Sequence, residues 1–319
     1  MRILHTSDWH LGVSTGPESR IAEQRWFLDW LLQELKRQEI DALLVAGDVF
    51  DSMHPTAEVA SLYFRFLARV GDAGVRDVVV VGGNHDSPSH LDAPRALLHE
   101  VNVHVVGGVP TADDRLNRMI APLRARGSDD VAAVCLAVPY VREYRLGIRT
   151  SDADPEKTRA AFKAAFAGLY GTLADEAIER FGDLPLVATG HLTMGSKVRR
   201  EDYPQEIHQV GRIEGLPVDI LDPRIQYTAL GHIHRCMPIQ GSTAWYCGTP
   251  IPYALTDMAV PRKVLVVDLD GESEAHVEPI EVPRRRDLLR LVGTPEAVLV
   301  ELAELDWSTP LPPLVHVHV

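Results

Sequence analysis

Five short stretches of the chain set metal-competent side chains beside glycine or at the end of an apolar run. They are SDWHLG with Asp8 and His10, GDVFD with Asp48 and Asp51, GNHDS with Asn84, His85 and Asp86, TGHLT with His191, and GHIHR with His232 and His234. Aspartate offers a hard anionic oxygen, histidine an imidazole nitrogen and asparagine a neutral carbonyl oxygen. A mixed nitrogen and oxygen set with open positions suits Mn2+, Fe or Zn2+ better than Ca2+ or an all-oxygen Mg2+ cage. Asp8, His10, Asp48, Asn84, His191, His232 and His234 are too many donors for one catalytic ion that keeps a water. They match two ions about 3.5–4 Å apart that share a bridging carboxylate.

Taken alone, GHIHR admits three readings: a pair of satisfied core imidazoles, a pH-sensitive surface turn, or two metal ligands facing one way. Residues i and i+2 of extended backbone point to the same side. On that geometry Asp8 and His10 serve one ion, and His232 and His234 serve neighbouring ions, provided the five stretches converge. A second His-x-His, in VHVHV at 315–319, reads as plain edge-strand alternation. Asn-His-Asp in GNHDS has no obvious packing role, although an Asx-turn would also use it.

The elements that must bring these stretches together are legible as alternating patterns. RILHTS, DALLVAGD and RDVVVVGGN read as strands, separated by ESRIAEQRWFLDWLLQELKRQ and TAEVASLYFRFLARVGDAG at helical spacing. This βαβαβ start predicts neighbouring strands joined by crossover helices. VHVVGG, VAAVCLAVPY, LPLVATGH, IQYTALGH, TAWYCG and KVLVVDLDG extend the strand inventory, and a long helix is predicted over 155–181. The second half has closer strands and fewer helices, which favours a mixed α/β sandwich over a doubly wound sheet. In open sheets, ligands bind at the carboxyl ends of strands, where each of the five stretches falls. Residues 192–224 are polar and read as a long excursion of the kind that carries recognition. Near IEVPRRRD (280–287) the pattern restarts, with a helix over 294–305 and a final strand LVHVHV that has little to pair with. The expected organisation is therefore a domain over 1–281 and a small, incomplete α/β cap domain over 282–319.

Bulk properties bound the function. The net charge of −13 argues against gripping nucleic acid by bulk charge, although divalent cations would add positive charge that this count omits. The three cysteines, Cys135, Cys236 and Cys247, form no CxxC pair and read as small, buried hydrophobes in a reducing cytoplasm. The N-terminus has no apolar signal core, and no apolar stretch is long enough to predict a membrane span. The basic clusters VREYRLGIR (141–149), KVRR (197–200) and RRR (284–286) read, one by one, as solvated surface.

The ordered set D-x-H, GD, GNHD, GH and GHxH resembles the calcineurin-like metallophosphoesterase superfamily. The longer strings AGDVFD, ATGHLT, ALGHIHR and YCGTPIP are similar to its double-strand-break repair nuclease family over roughly residues 1–282. The resemblance implies a sandwich of two mixed β-sheets flanked by helices, with two metals, Mn2+ first among them, at the sheet ends. Asp8, His10 and His234 would hold one ion, Asn84, His191 and His232 the other, and Asp48 would bridge. His85 would act at the scissile phosphate as proton donor or transition-state stabiliser. Asp86 would support it, and Asp51, where some relatives carry histidine, would orient His85 or a water.

The implied activity is a DNA exo- and endonuclease that hydrolyses phosphodiesters through a two-metal-activated water, in DNA repair, recombination and replication. Implied partners are duplex ends, hairpins and single strands of DNA, an SbcC-like ATPase and a second copy of the chain, in the cytoplasm at the nucleoid. Lys197, Arg199, Arg200 and Arg142 are the expected DNA contacts at the rim. Two departures stand out: the chain stops before the helical segment that engages the ATPase in relatives, and the turn after His191 is short. The alternative is a small-molecule, cyclic-nucleotide-type phosphodiesterase on the same dinuclear site. A non-catalytic scaffold would be expected to have lost ligands, and here every ligand position is filled. GNHDS, where protein phosphatases carry GNHE, disfavours a phosphoprotein substrate.

Overall fold

The computed structural model describes residues 1–147, 155–195, 215–270 and 275–319. One sheet is built from β1 (Arg2–Thr6), β4 (Ala42–Ala46), β5 (Asp77–Val81), β6 (Val103–Val106), β13 (Lys263–Asp268) and β14 (His276–Glu281), in the order β14-β13-β1-β4-β5-β6. Its β1, β4, β5 and β6 run parallel, and β13 and β14 close one edge antiparallel. The other sheet holds β7 (Ile120–Arg124), β8 (Val131–Leu136), β9 (Leu186–His191), β10 (Ile225–Gly231), β11 (Met237–Pro238) and β12 (Ala244–Tyr246), in the order β11-β12-β10-β9-β8-β7. There β8, β9, β10 and β12 are parallel, with β7 and β11 antiparallel at the edges. A two-residue hairpin, β2 (Ser14–Thr15) and β3 (Glu18–Ser19), follows the first strand.

The layering follows from strand periodicity. Successive side chains of a strand face opposite sides, and in β4 both sides are apolar. Ala42, Leu44 and Ala46 turn toward the second sheet, whereas Leu43 and Val45 turn toward α1 (Ile21–Arg37) and α2 (Ala57–Val70). The same split places Val79 and Val81 of β5 in one core and Val78 and Val80 in the other. A continuous apolar run is what a parallel strand covered on both faces requires. The second sheet is covered by α6 (Pro155–Phe181), whose Phe166, Leu169, Tyr170 and Leu173 are buried against it. Helix, sheet, sheet and helix thus form four layers, as the mixed sandwich expectation required. The short helices α3 (Pro88–Asp92), α4 (Arg95–His99) and α5 (Ala112–Arg118) lie on the connections around β6.

Among the longer strands of the two large sheets, β7 and β14 have no counterpart in the sequence reading; nor has β15 (Leu288–Val292) in the C-terminal segment. IAPLR and HVEPIE are edge strands carrying Pro122 and Pro279. Edges tolerate proline and charge because one row of backbone groups is unpaired there, so the apolar signal is diluted.

Beyond Glu281 the chain leaves the first sheet and forms β15 (Leu288–Val292), α7 (Pro295–Glu304) and β16 (Leu314–His318). The final strand does find a partner: β16 pairs in parallel with β15 from Leu288↔Leu314 to Val292↔His318. The expectation of a strand with little to pair with is corrected by this βαβ crossover. His316 and His318 of VHVHV are exposed. The three cysteines are free, with Cys135 and Cys247 buried and Cys236 half-buried. Among the described residues, no helix is long and apolar enough to cross a membrane.

Leu44 is fully buried between the sheets. Leu44→Ala should lower the unfolding free energy by about 2–5 kcal/mol, read as a shift of the urea midpoint with little change in slope. A loss below 0.5 kcal/mol (roughly the size of a surface effect) would contradict the layering.

Candidate metal centre

The donor-bearing turns follow the carboxyl ends of β1, β4, β5, β9 and β10, so both sheets point their parallel strands at one crevice. The turns are stitched together by backbone hydrogen bonds: Asp8 N–H donates to Gly47 O at 3.0 Å, His10 N–H to Asp48 O at 3.0 Å and Leu11 N–H to Val49 O at 2.9 Å. One expectation about how the donors converge is corrected. Asp8 and His10 lie past the end of β1 with φ of 52° and 43°, and His232 lies past β10 with φ of 90°. Left-handed backbone, not strand alternation, aims these side chains. Asp48 shares the conformation, with φ of 48°. Non-glycine residues pay about 1–2 kcal/mol each for it, and such strain clusters where a site needs a fixed geometry. Close approach also explains the glycines of GD and GH. A Cβ on Gly47 would collide with the His191 ring, and one on Gly231 with the Ala46 carbonyl.

Asp48 is at the centre. Its Oδ1 accepts the backbone N–H of His85 at 2.9 Å, while Oδ2 lies 3.2 Å from His191 Nε2 and 3.6 Å from His10 Nε2. On one side His10 Nε2 and His234 Nε2 approach to 3.1 Å, beside Asp8. On the other, Asn84 Oδ1 lies 3.0 Å from His191 Nε2 and 2.9 Å from His232 Nδ1. The two histidines of GHIHR therefore face different halves of the cluster. Asp8 is fixed by Ser7 Oγ–H at 2.5 Å and by the His232 N–H at 2.9 Å. Asp8, His10 and His234 form one group of donor atoms within 4.8 Å of one another, and Asp8, Asp48 and His191 form another.

The chemistry of this set fits divalent cations. The Ala46 carbonyl can only accept, so His191 Nδ1, 2.9 Å away, carries hydrogen and aims its Nε2 at two oxygens. That lone pair has a raised affinity for a second proton. Burial opposes it, but the charge and hydrogen bond of Asp48 prevail and raise His191 to about 9. His10 is raised in the same way, against burial, by its hydrogen bond to Asp51 and the charge of Asp48. Burial lowers His232 to about 3 and His234 well below its ordinary value, so both present neutral, ligand-ready imidazoles. Although burial would raise it, His191 holds the Asp48 carboxyl far below the usual range. Asp8 is raised, chiefly by burial. Protons and a metal ion compete here for the same lone pairs.

His85 stands beside this cluster, its ring 4.8 Å from that of His10 at 81°. Its Nδ1 donates to the backbone carbonyl of Asp51 at 2.9 Å, which leaves Nε2 as the atom available to a substrate. Asp51 thus orients His85 through its main chain, while its half-exposed carboxylate lies 3.3 Å from His10 Nδ1. Asp86, expected to support His85, acts on main-chain groups. It is fully buried and accepts the N–H groups of Val49, Phe50 and Gly83 at 3.1, 2.9 and 2.8 Å. It clamps the GDVFD turn to the GNHDS turn. Burial and Asp48 raise it to about 6, against those three hydrogen bonds. Arg142 lies half-buried past the end of β8, and Lys197, Arg199 and Arg200 lie outside the described residues.

Two supports escaped the sequence reading. Gln24, buried in the first turn of α1, donates to His10 O at 2.7 Å and accepts from Gly12 N–H at 2.9 Å. Tyr253 stacks edge-on with His10 at 5.7 Å and donates to Trp9 O. A glutamine inside an otherwise ordinary amphipathic helix gives no signal at the sequence level, whereas Tyr253 follows directly on GTPIP.

Mn2+ titrated calorimetrically into the metal-free chain at pH 7 should release about one to two protons per chain. Apparent affinity should rise from pH 7 toward 9 as the raised His191 ceases to hold its proton, and a flat profile would contradict the site. Asp86→Asn leaves one acceptor for three amides and turns an NH2 against them. It should lower stability by about 1–3 kcal/mol, measured by urea unfolding.

The family model described as calcineurin-like phosphoesterase matches residues 1–236. The D subunit of nuclease SbcCD from Rhodobacter capsulatus is 37% identical over 312 residues, which covers 96% of this chain and 75% of that protein. The protein of the same name from Escherichia coli (strain K12) is 33% identical over 318 residues, covering 98% and 76%. That from Bacillus subtilis (strain 168) is 31% identical over 300 residues, covering 91% and 72%. With a family model that spans most of the chain and relatives above 30% identity along nearly all of it, the chain belongs to the calcineurin-like phosphoesterase family, in the group of the SbcD nuclease subunits.

Proposed function

We propose that this chain is a Mn2+-dependent DNA nuclease that hydrolyses phosphodiester bonds at duplex ends, hairpins and single strands, and that it works with an SbcC-like ATPase. The observation that carries the reading is the approach of His10 and His191, one from each half of the cluster, to Asp48 Oδ2, with His85 oriented beside them and its Nε2 available. Relatives named as nuclease subunits support the substrate class and the partner. No observation favours the small-molecule phosphodiesterase.

In this reading Asp8, His10 and His234 would hold one cation, Asn84, His191 and His232 would hold the other, and Asp48 would serve both. The cations supply, when bound, Lewis acidity toward a phosphoryl oxygen and an activated water at neutral pH. The mixed nitrogen and oxygen donors favour Mn2+. His85 Nε2 gives a proton, or a hydrogen bond, to the oxygen that leaves phosphorus. Asp51 holds the imidazole in the tautomer that exposes Nε2, and Asp86 holds the backbone from which both loops depart. Hydrolysis at this site involves no protein nucleophile, which agrees with Cys135 and Cys247 being buried and with Ser7 being committed to Asp8. Residues 282–319 act as part of a DNA-binding cap, and Lys197, Arg199, Arg200 and Arg142 meet backbone phosphates, contacts that carry little sequence preference.

Linear duplex and hairpin DNA should be cut with Mn2+ and not with EDTA. His85→Ala should lower the rate by about 10^2–10^4-fold while Mn2+ affinity stays within twofold (roughly 0.4 kcal/mol). Hydrolysis of bis-p-nitrophenyl phosphate with DNA untouched, even when the ATPase subunit is added, would overturn the nuclease reading.

A further inference from the structure

We propose that Arg286 and Glu23 are positioning residues through which the 282–319 unit sets the geometry of His10 and His234, and so of one of the two cation sites only. The inference rests on the two-cation reading of the centre and adds to it a mechanical link that the motifs do not contain.

The RRR cluster does not behave as one solvated patch. Arg286 is 6% exposed, and its Nη1 lies 3.2 Å from Glu18 Oε1 and 3.6 Å from Glu23 Oε2. Glu23 is 2% exposed and is already committed to the fully buried Arg20, whose Nε and Nη2 donate to its two oxygens at 2.5 and 2.6 Å. Replacing such a buried ionic group by apolar residues of similar volume is often neutral or stabilising. Its worth here lies in what its members fix.

Both arms of the network lead to His10. Arg20 Nη2 donates to Pro252 O at 2.9 Å, next to Tyr253, which stacks on His10 and donates to Trp9 O. Glu23 precedes Gln24, which holds His10 O at 2.7 Å and Gly12 N–H at 2.9 Å. The other attachments of the C-terminal unit run to the same neighbourhood. Arg284 donates to Met258 O at 3.1 Å, β15 packs on the turn at Leu255–Ala259, and Val282 N–H donates to Arg262 O at 2.8 Å. Arg262 in turn donates to His234 O at 2.7 Å. The unit therefore sits on the segments that hold His10 and His234 in place. Asn84, His191 and His232 hang from β5, β9 and β10 instead, and none of these contacts reaches them.

Because His10 already occupies left-handed backbone, small displacements of its supports are felt at the ligand atom. Outer supports of metal ligands are worth about 10–100-fold in metal affinity. Coupling is also reciprocal: if the 282–319 unit positions the site, a cation in the site must steady the unit.

The test uses the full chain and Mn2+ without DNA. In calorimetric titrations Arg286→Met should weaken one of the two Mn2+ ions about tenfold or more and leave the other within twofold, with Arg286→Lys recovering part of the loss. In hydrogen exchange, Mn2+ should protect amides of residues 282–319 in the wild type, and this protection should vanish in Arg286→Met and Glu23→Gln. If Glu23→Gln fails to fold, Arg286→Met, which leaves the Arg20–Glu23 pair intact, carries the test. Unchanged affinities, or equal weakening of both ions, would overturn the inference while leaving the two-cation reading in place. A wild type that binds fewer than two Mn2+ would overturn that reading itself.

Discussion

The structure turns on a buried carboxylate. Asp48 has one oxygen committed to the backbone of the GNHDS turn and the other presented to imidazoles from both sheets. An isolated carboxylate in that position would cost far more than the protein could recover, so the four layers around it are compatible with Asp48 only if positive charge is supplied. His191 and His10, whose imidazoles are both shifted toward the protonated form by Asp48, supply part of it, and divalent cations would supply more. The pairing of the two sheets and the electrostatics of the site are thus one problem: β4 brings the charge, and β1 and β9 bring its compensation.

Strain and support around Asp48 balance locally. Asp8, His10, Asp48 and His232 are held in left-handed backbone, a cost of several kcal/mol in total if each pays about 1–2. The opposing terms are short and specific: the hydrogen bonds from Asp8 and His10 to Gly47 and Asp48, the three amides on Asp86, and the Gln24 clamp on His10. Each fixes a turn at its base, with the buried and half-buried ligand residues at the far end of a rigid lever. That is why Asp86, whose buried carboxylate is committed to three backbone amides, matters as much to this geometry as a ligand.

The layers were legible because parallel strands covered on both faces leave long apolar runs, as in ALLVA and DVVVV, and because glycine follows so many of them. The donors were legible for a related reason: polar residues gathered at strand ends have no packing purpose. What the chain concealed was of two kinds. Edge strands with proline, such as IAPLR and HVEPIE, resemble loops, since half of their backbone is free of the sheet. Long-range polar supports leave no pattern at all. Gln24 sits 14 residues from His10, and Arg286 sits 268 residues from Glu18. Nothing in a local window distinguishes Arg286 from Arg284 and Arg285, yet one is buried on carboxylates and the others face solvent. The direction of the ligand side chains was inferred from strand alternation and is produced by positive φ, so the spacing was informative for a reason other than the one that suggested it.

The same electrostatics decides how a chain of net charge −13 meets a polyanion. A carboxylate-bearing crevice in an acidic protein repels phosphate, and the raised proton affinity of His10 and His191 offsets only part of that charge. Two divalent cations would add four positive charges in a place where burial leaves little solvent to screen them. Under the nuclease reading, attraction for the substrate is therefore delegated to the loaded site and a few rim cations, and the rest of the surface discourages binding without chemistry. The cations would then act twice, once on the bond that is cut and once as the condition for approaching it.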